Sequence, residues 1–272
     1  PPYYPDHPVY RREIAHHYDT ILKMDEILGD NIKRLKEDGL YDNTVMFFFS
    51  DHGMKLPRHK QFCYEGGLRV PLIVAGPGIP AGQVRTDLVS GLDISGATLK
   101  LAGIPIPDHM HAMDLFDDSF HRDYVISARD RCDYTIDRIR SVTTKRYKYI
   151  RNFMTDRPYL QPNYRDEWDT FQVLKQLYKD GKLNQVQARF VSDERPAEEL
   201  YDLETDPHET VNLVHSWKRE HAMALAQLRN ILYQWIIETD DKGQYPETDS
   251  ALEAVIDRWG DKAVCPEYQR VR

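Results

Sequence analysis

An α/β fold followed by a smaller α+β region is predicted for this chain, on three observations. A long helix-period stripe leads into a short, unbroken apolar run. A second apolar run and another helix follow. Beyond a proline-, histidine- and aspartate-rich stretch at residues 105–121, the pattern shortens into alternating strands. The expected regions are 1–116 and 117–272.

Pro1 to Pro8 is a proline-rich, extended lead-in. From Val9 to about Asp38, Ile14, Tyr18, Ile21, Leu28, Ile32 and Leu35 recur at steps of three, four and seven, the spacing of one helix face. Asp25 falls on that stripe and is expected to be a hydrogen-bonded structural residue. Gly39 suits a left-handed cap, and Asp42-Asn43 a turn. Thr44 to Phe49 (T-V-M-F-F-F) reads as a parallel strand covered on both faces. Leu68 to Ala75 is a second strand, placed near an edge because Pro71 has no N–H for a ladder. Asp87 to Leu92 reads as another short strand, and Ile94 to Ala102 as a helix closed by Gly103. In the second region Tyr124–Ser127, Ile136–Val142 and Arg146–Phe153 are expected to form an antiparallel sheet. Asp166–Tyr178 and Trp217–Ile237 read as helices, the latter with Leu225, Leu228, Leu232 and Trp235 on one side.

Composition narrows the function classes. At 272 residues, 41% hydrophobic and 29% charged, the chain is long enough for one large domain or two modest ones. A net charge of -8 argues against general nucleic-acid binding. No apolar run approaches the roughly 20 residues of a membrane span. Cys63, Cys132 and Cys265 make neither a zinc spacing nor a disulfide framework. The opening Pro1-Pro2-Tyr3-Tyr4-Pro5 has no initiator Met and no signal pattern, so the numbering is expected to start inside a longer chain.

The sharpest chemical signal is Ser50-Asp51-His52-Gly53 at the carboxyl end of the first strand, where ligands bind in open α/β sheets. Asp51 and His52 offer a carboxylate and an imidazole to a metal, while Gly53 lets the backbone turn away. Alone, the same residues fit a cap and an ordinary loop histidine. The second signal is Lys60, followed by Tyr64-Glu65-Gly66-Gly67 and then Arg69-Val70-Pro71 at the entry to the next strand. A lysine so placed can hold a tetrahedral oxyanion as a point charge.

S-D-H-G followed by K-x-x-x-Y-E-G-G-x-R-V-P resembles the second signature block of the sulfatases in the alkaline phosphatase superfamily. The approach through Gly39-Leu40-Tyr41-Asp42-Asn43-Thr44 is similar too, as are Glu199-Leu200-Tyr201-Asp202-Leu203, Asp206-Pro207-His208-Glu209 and Asn212-Leu213. The opening and the tail around Trp235 look most like the heparan N-sulfatase branch. This resemblance implies the C-terminal part of an alkaline-phosphatase-like sheet plus an α+β subdomain. It implies hydrolysis of sulfate esters or sulfamates on a sulfated glycan, with Asp51 and His52 as metal ligands and Lys60 on the sulfate. Calcium is the expected metal, although many sulfatases have asparagine where His52 stands and imidazole suits transition metals. The catalytic formylglycine comes from a cysteine in C-x-P-S-R; no cysteine here has that context, nor is there a counterpart of the family's paired N-terminal aspartates. The nucleophile is therefore expected on an N-terminal portion of the same enzyme, leaving this chain alone inactive. A periplasmic, secreted or lysosomal setting is what the resemblance implies.

Other features read more plainly. His16-His17 on adjacent helix positions makes no metal pair. Six basic residues between Arg138 and Arg151 fit a hairpin with one solvated face, and alternatively a heparin-type surface. Arg129 and Arg131 are candidate contacts for an anionic sugar; His109 and His111 more often belong to a surface than to a pocket. Two rivals remain at this stage. One is a phosphodiester or phosphonate monoester hydrolase of the same superfamily, using zinc or manganese. The other is a non-catalytic protein that binds sulfated glycans through the basic hairpin.

Overall fold

Helix α1, Pro8–Glu37, opens with proline in its first turn, where a missing N–H costs nothing, and His7 caps it by accepting from Val9 N. Only its beginning is anchored. Tyr10 is 1% exposed and donates to the Thr170 carbonyl, at the start of helix α4, Asp169–Lys179. Beyond it the predicted stripe is open at Tyr18 and Ile21, 64% and 38% exposed, and half-buried at Leu28, Ile32 and Leu35. Asp25 is exposed as well and makes no side-chain hydrogen bond, contrary to its expected structural role.

The computed structural model describes residues 1–272. Strand β1, Met46–Phe49, ends at the S-D-H-G turn as expected, but it is neither parallel nor covered on both faces. Its partner is β2, Leu72–Ala75, antiparallel in the register Phe47↔Val74. These two strands make a separate ribbon, so each has a free edge, and Phe49 and Ile73 are exposed. Pro71 stands just outside the ladder, where its lack of an N–H is harmless. Between the strands, one helical turn, α2 at Glu65–Leu68, carries the Gly66-Gly67 pair.

No strand forms at 87–92. Ser90 and Asp93 instead close a reciprocal capping box that starts helix α3 at Gly91–Leu101, earlier than the apolar periodicity indicates. Asp93 is fully buried, and Arg122 holds its carboxylate from the second region.

The second region is built on a four-stranded antiparallel sheet in simple order: β3 Val125–Arg129, β4 Ile139–Thr143, β5 Tyr147–Asn152 and β6 Glu198–Asp202. Consecutive residues point to opposite faces, and both faces are buried. Val142, Tyr149 and Leu200 pack under Leu225, Leu228 and Leu232 of helix α6, Arg219–Thr239. Their neighbours Ile139, Ile150 and Tyr201 pack on the other side with Phe62, Cys63, Tyr64, Phe171 and Phe190. Full burial of one such side chain is worth roughly 1.5–3 kcal/mol. The loop that carries the candidate lysine is therefore a structural layer of this sheet. Short helix α5, Gln185–Ala188, and helix α7, Asp249–Trp259, complete the elements; α7 packs Leu252 and Val255 against Tyr134 and Ile136.

This two-sided burial corrects the picture of the basic hairpin. Arg140, on the α6 face, and Lys148, on the motif-loop face, are 1% and 0% exposed, so neither is solvated. Arg140 is paired with Asp130 at 2.8 Å and Asp241 at 2.9 Å. Lys148 lies 2.7 Å from Glu65 and 3.1 Å from Glu209. A glycan docked on the hairpin would find neither of these two cations available; of the six basic residues, Lys145 is exposed and Arg138, Arg146 and Arg151 are half-buried.

Candidate functional site

The two motif blocks meet through glycine. Gly53 N donates to Gly67 O at 3.1 Å, and a Cβ on Gly53 would sit 1.7 Å from the Gly66 carbonyl oxygen. A Cβ on Gly67 would lie 2.4 Å from the carbonyl oxygens of His59 and Phe62. Only backbone without side chains fits here, so S-D-H-G and E-G-G hold each other in place. The intervening loop folds over them. Lys60 N donates to Met54 O at 3.0 Å, which fixes its backbone two residues beyond His52. Arg58 and Gln61 adopt left-handed φ values of 69° and 78°, costly for residues with a Cβ and common where surrounding structure holds a site in shape.

Asp51 projects into solvent, its side chain 81% exposed. His52 Nδ1 lies 2.8 Å from Gly53 O, a contact that assigns its proton to that nitrogen. Nε2 faces Asp51 Oδ2 at 3.4 Å. An imidazole anchored to a carbonyl through one nitrogen, with the other turned toward a neighbouring carboxylate, places both candidate ligands side by side. Asp51 and His52 fit one side of a divalent-cation cage; no group of three or more His, Cys, Asp or Glu residues gathers anywhere in the chain. Lys60 has no carboxylate within 4.0 Å, and its ammonium stands 5.9 Å from the centre of the half-exposed Tyr164 ring. It is an uncommitted positive charge on a loop whose shape is fixed.

What fixes that loop is a buried polar scaffold. Arg165 is fully buried and has no carboxylate partner. It donates to Lys55 O, Lys60 O and, at 2.5 Å, Gln61 Oε1. Gln61 in turn reaches Cys132 Sγ. Arg58 lies over the Tyr3 and Tyr64 rings and donates to Glu209 O. His59 is buried beside Arg58 and hydrogen-bonded to Tyr3 at 3.0 Å; desolvation and the guanidinium bring its pKa down to about 4, so it is neutral. Below the loop, Glu209 Oε2 accepts from Glu65 N at 2.9 Å, and Lys148 bridges the two carboxylates. The Lys148 contacts are ion pairs at short range, not aligned hydrogen bonds. Burial raises the Glu209 pKa, against the pull of Lys148 and Arg58.

Glu199 completes the frame. Its fully buried carboxylate accepts from Tyr64 at 2.8 Å, Tyr159 at 2.6 Å, Tyr201 at 2.5 Å and Asn152 at 2.8 Å. The E-L-Y-D and D-P-H-E segments are thus struts beneath the motif loop. In sequence they read as signatures only; that Glu65, Lys148 and Glu209 converge was hidden by separations of more than sixty residues.

Of the candidate sugar contacts, Arg129 is 8% exposed, lies over Phe62 and approaches Asp137 at 3.5 Å. Arg131 is fixed by Glu247 at 3.0 Å and by the Asp133 carbonyl. His109 and His111 are exposed. None of the three thiols is prepared as a nucleophile: burial pushes Cys63 up to about 11 and raises Cys132 and Cys265 too.

Comparison with known proteins puts this geometry in context. Residues 1–104 match the family model described as Sulfatase. An ulvan-active sulfatase of Formosa agariphila is 35% identical over 92% of this chain and 42% of its own length. Human N-sulphoglucosamine sulphohydrolase is 28% identical over 88% of this chain and 51% of its own. A solved 2-O GAG sulfatase shares the fold with a TM-score of 0.57 at 22% identity, covering 79% of this chain and 41% of that one. The chain thus spans about half the length of the relatives it matches, or less.

Proposed function

We propose, from the premise that this chain belongs to the sulfatase family, that it supplies one side of the metal and sulfate site of an enzyme hydrolysing sulfate esters or sulfamates on a sulfated glycan. The observation that carries this reading is the pairing of Asp51 and His52, with Nδ1 anchored and Nε2 turned toward the Asp51 carboxylate, on the same glycine-clipped loop as the uncommitted Lys60. The names of the ulvan-active and N-sulphoglucosamine relatives support the glycan as substrate class.

Asp51 and His52 would hold a divalent cation, calcium by preference, which draws charge from sulfate oxygens when bound. Lys60 then acts by itself as a fixed positive charge toward the oxygen that leaves the sulfur. It contributes most as that oxygen becomes negative, because Arg165 and the Met54 carbonyl hold its backbone before substrate arrives. The nucleophile and the remaining ligands would come from an N-terminal portion of the same enzyme.

Lys60→Ala in the complete enzyme tests the role. A loss of about 10²–10³ in kcat on a sulfated glycan is expected, by analogy with other oxyanion donors. A rise in KM with kcat unchanged would make Lys60 a uniform binder and remove it from the catalytic step.

A further inference from the structure

Two cavities stand out; neither is lined by a motif-loop residue, but the smaller has a wall that is joined to that loop. The larger, about 620 Å³, lies between Lys145–Tyr147 and helix α6 and includes no motif residue. The smaller, about 360 Å³, is lined by Arg131, Asp133, Val255, Arg258 and Trp259. That volume is within the range of small-molecule sites. Cys132 separates Arg131 from Asp133, and its thiol meets the side chain of Gln61, the residue after Lys60. The same thiol feels the charges of Arg129, Arg165 and Lys60. The turn that carries Arg131 and Asp133 into the cavity wall is therefore tied to the motif loop through Cys132 and Gln61.

We infer that this cavity is a glycan subsite, taking an anionic sugar unit next to the one whose sulfate is removed. Its chemistry is mixed in the manner a charged sugar requires. Arg258 is exposed, has no carboxylate within 4.0 Å, and stands 5.3 Å from the centre of the Trp259 ring. Arg131 is held by Glu247 and by Asp133 O through Nε and Nη1, so Nη2 is free of protein partners. Two guanidinium groups with N–H to spare recognise a sulfate or a carboxylate. Asp133 lines the same cavity as an acceptor for a sugar hydroxyl. It sits in a turn closed by paired Cys132–Thr135 backbone hydrogen bonds of 3.0 and 2.9 Å, which makes its position rigid. Trp259 is braced edge-on against Tyr134 at 5.5 Å and leaves an apolar surface beside the cations. A neutral ligand would leave Arg258 unused. A nucleic acid would meet Asp133, on a chain of net charge -8.

This subsite rests on the proposed glycan sulfatase reading for its choice of ligand, but binding tests it without any hydrolysis. The full chain is titrated calorimetrically with a sulfated, uronate-containing tetrasaccharide, with its desulfated counterpart, and with a sulfated monosaccharide. In Arg258→Glu the ratio of tetrasaccharide to monosaccharide affinity should fall about tenfold. Arg258 is exposed, so the variant should melt with the wild type; Trp259→Leu, which keeps an apolar contact to Tyr134, should lower the same ratio. Loss confined to the sulfated probe identifies sulfate as the recognised group, and equal loss with the desulfated probe identifies carboxylate; either supports the subsite. An unchanged ratio in both variants overturns it. Should the ratio fall while the complete enzyme releases no sulfate from any glycan, the subsite stands and the hydrolase reading fails.

Discussion

At the scale of single residues, the motif glycines are the clearest link from sequence to site. Gly53, Gly66 and Gly67 were legible as turn-makers, but the sequence does not say what they turn against. The structure answers with carbonyl oxygens, where no rotamer relieves a clash. Gly53→Ala must therefore move one motif block away from the other, and we expect it to lower stability by about 3 kcal/mol or more, as strained or overpacked sites do. A denaturant midpoint within error of the wild type would show that the two blocks do not constrain each other. His59 makes a second residue-scale prediction. Its folded pKa of about 4 lies below its ordinary value near 6.5, so the unfolded chain takes up the proton first. The contribution is complete above pH 6.5 and is lost as pH falls toward 4, with an upper bound on the order of 3 kcal/mol. Melting curves between pH 7 and 4 should be flatter in His59→Asn than in the wild type; parallel pH dependences would place the proton uptake elsewhere.

At the scale of elements, periodicity identified α1, β1, β2, α3, β3 to β5, α4 and α6, with ends displaced by a few residues. It missed β6 and α7, because E-L-Y-D reads as a motif more readily than as a strand and α7 has only a short apolar stripe. It also misjudged exposure. A basic hairpin looks solvated when its cations cannot be matched to acids, and the partners of Lys148, Glu65 and Glu209, are 83 and 61 residues away in sequence. That pairing is the joint between the second-region sheet and the motif loop. Removing the ammonium from it leaves two carboxylates facing each other in a buried space, so Lys148→Met should cost about 3–5 kcal/mol. The double variant Lys148→Met with Glu209→Gln should recover part of the loss, as expected for residues in one network. No recovery would mean that the pair is not energetically coupled.

At the scale of the whole molecule, the candidate site belongs to neither region alone. Its loop starts from the β1–β2 ribbon, is pinned by Arg165, and rests on a sheet whose far face is closed by α6. Tyr18 and Ile21 of α1 and Phe49 and Ile73 of the ribbon leave large apolar side chains exposed. The purified chain by itself is expected to bind an environment-sensitive apolar dye and to do so less when joined to the N-terminal portion proposed above; equal dye binding would show that this surface faces solvent in the complete enzyme as well. The central claim, that Asp51 and His52 are ligands and Lys60 is not, is tested most directly by metal content. Complete enzyme should carry a divalent cation in stoichiometric amount. Asp51→Ala and His52→Ala should each lose it with the fold intact, while Lys60→Ala keeps the metal and loses turnover. Stoichiometric metal in both ligand variants, with kcat unchanged, would contradict the account.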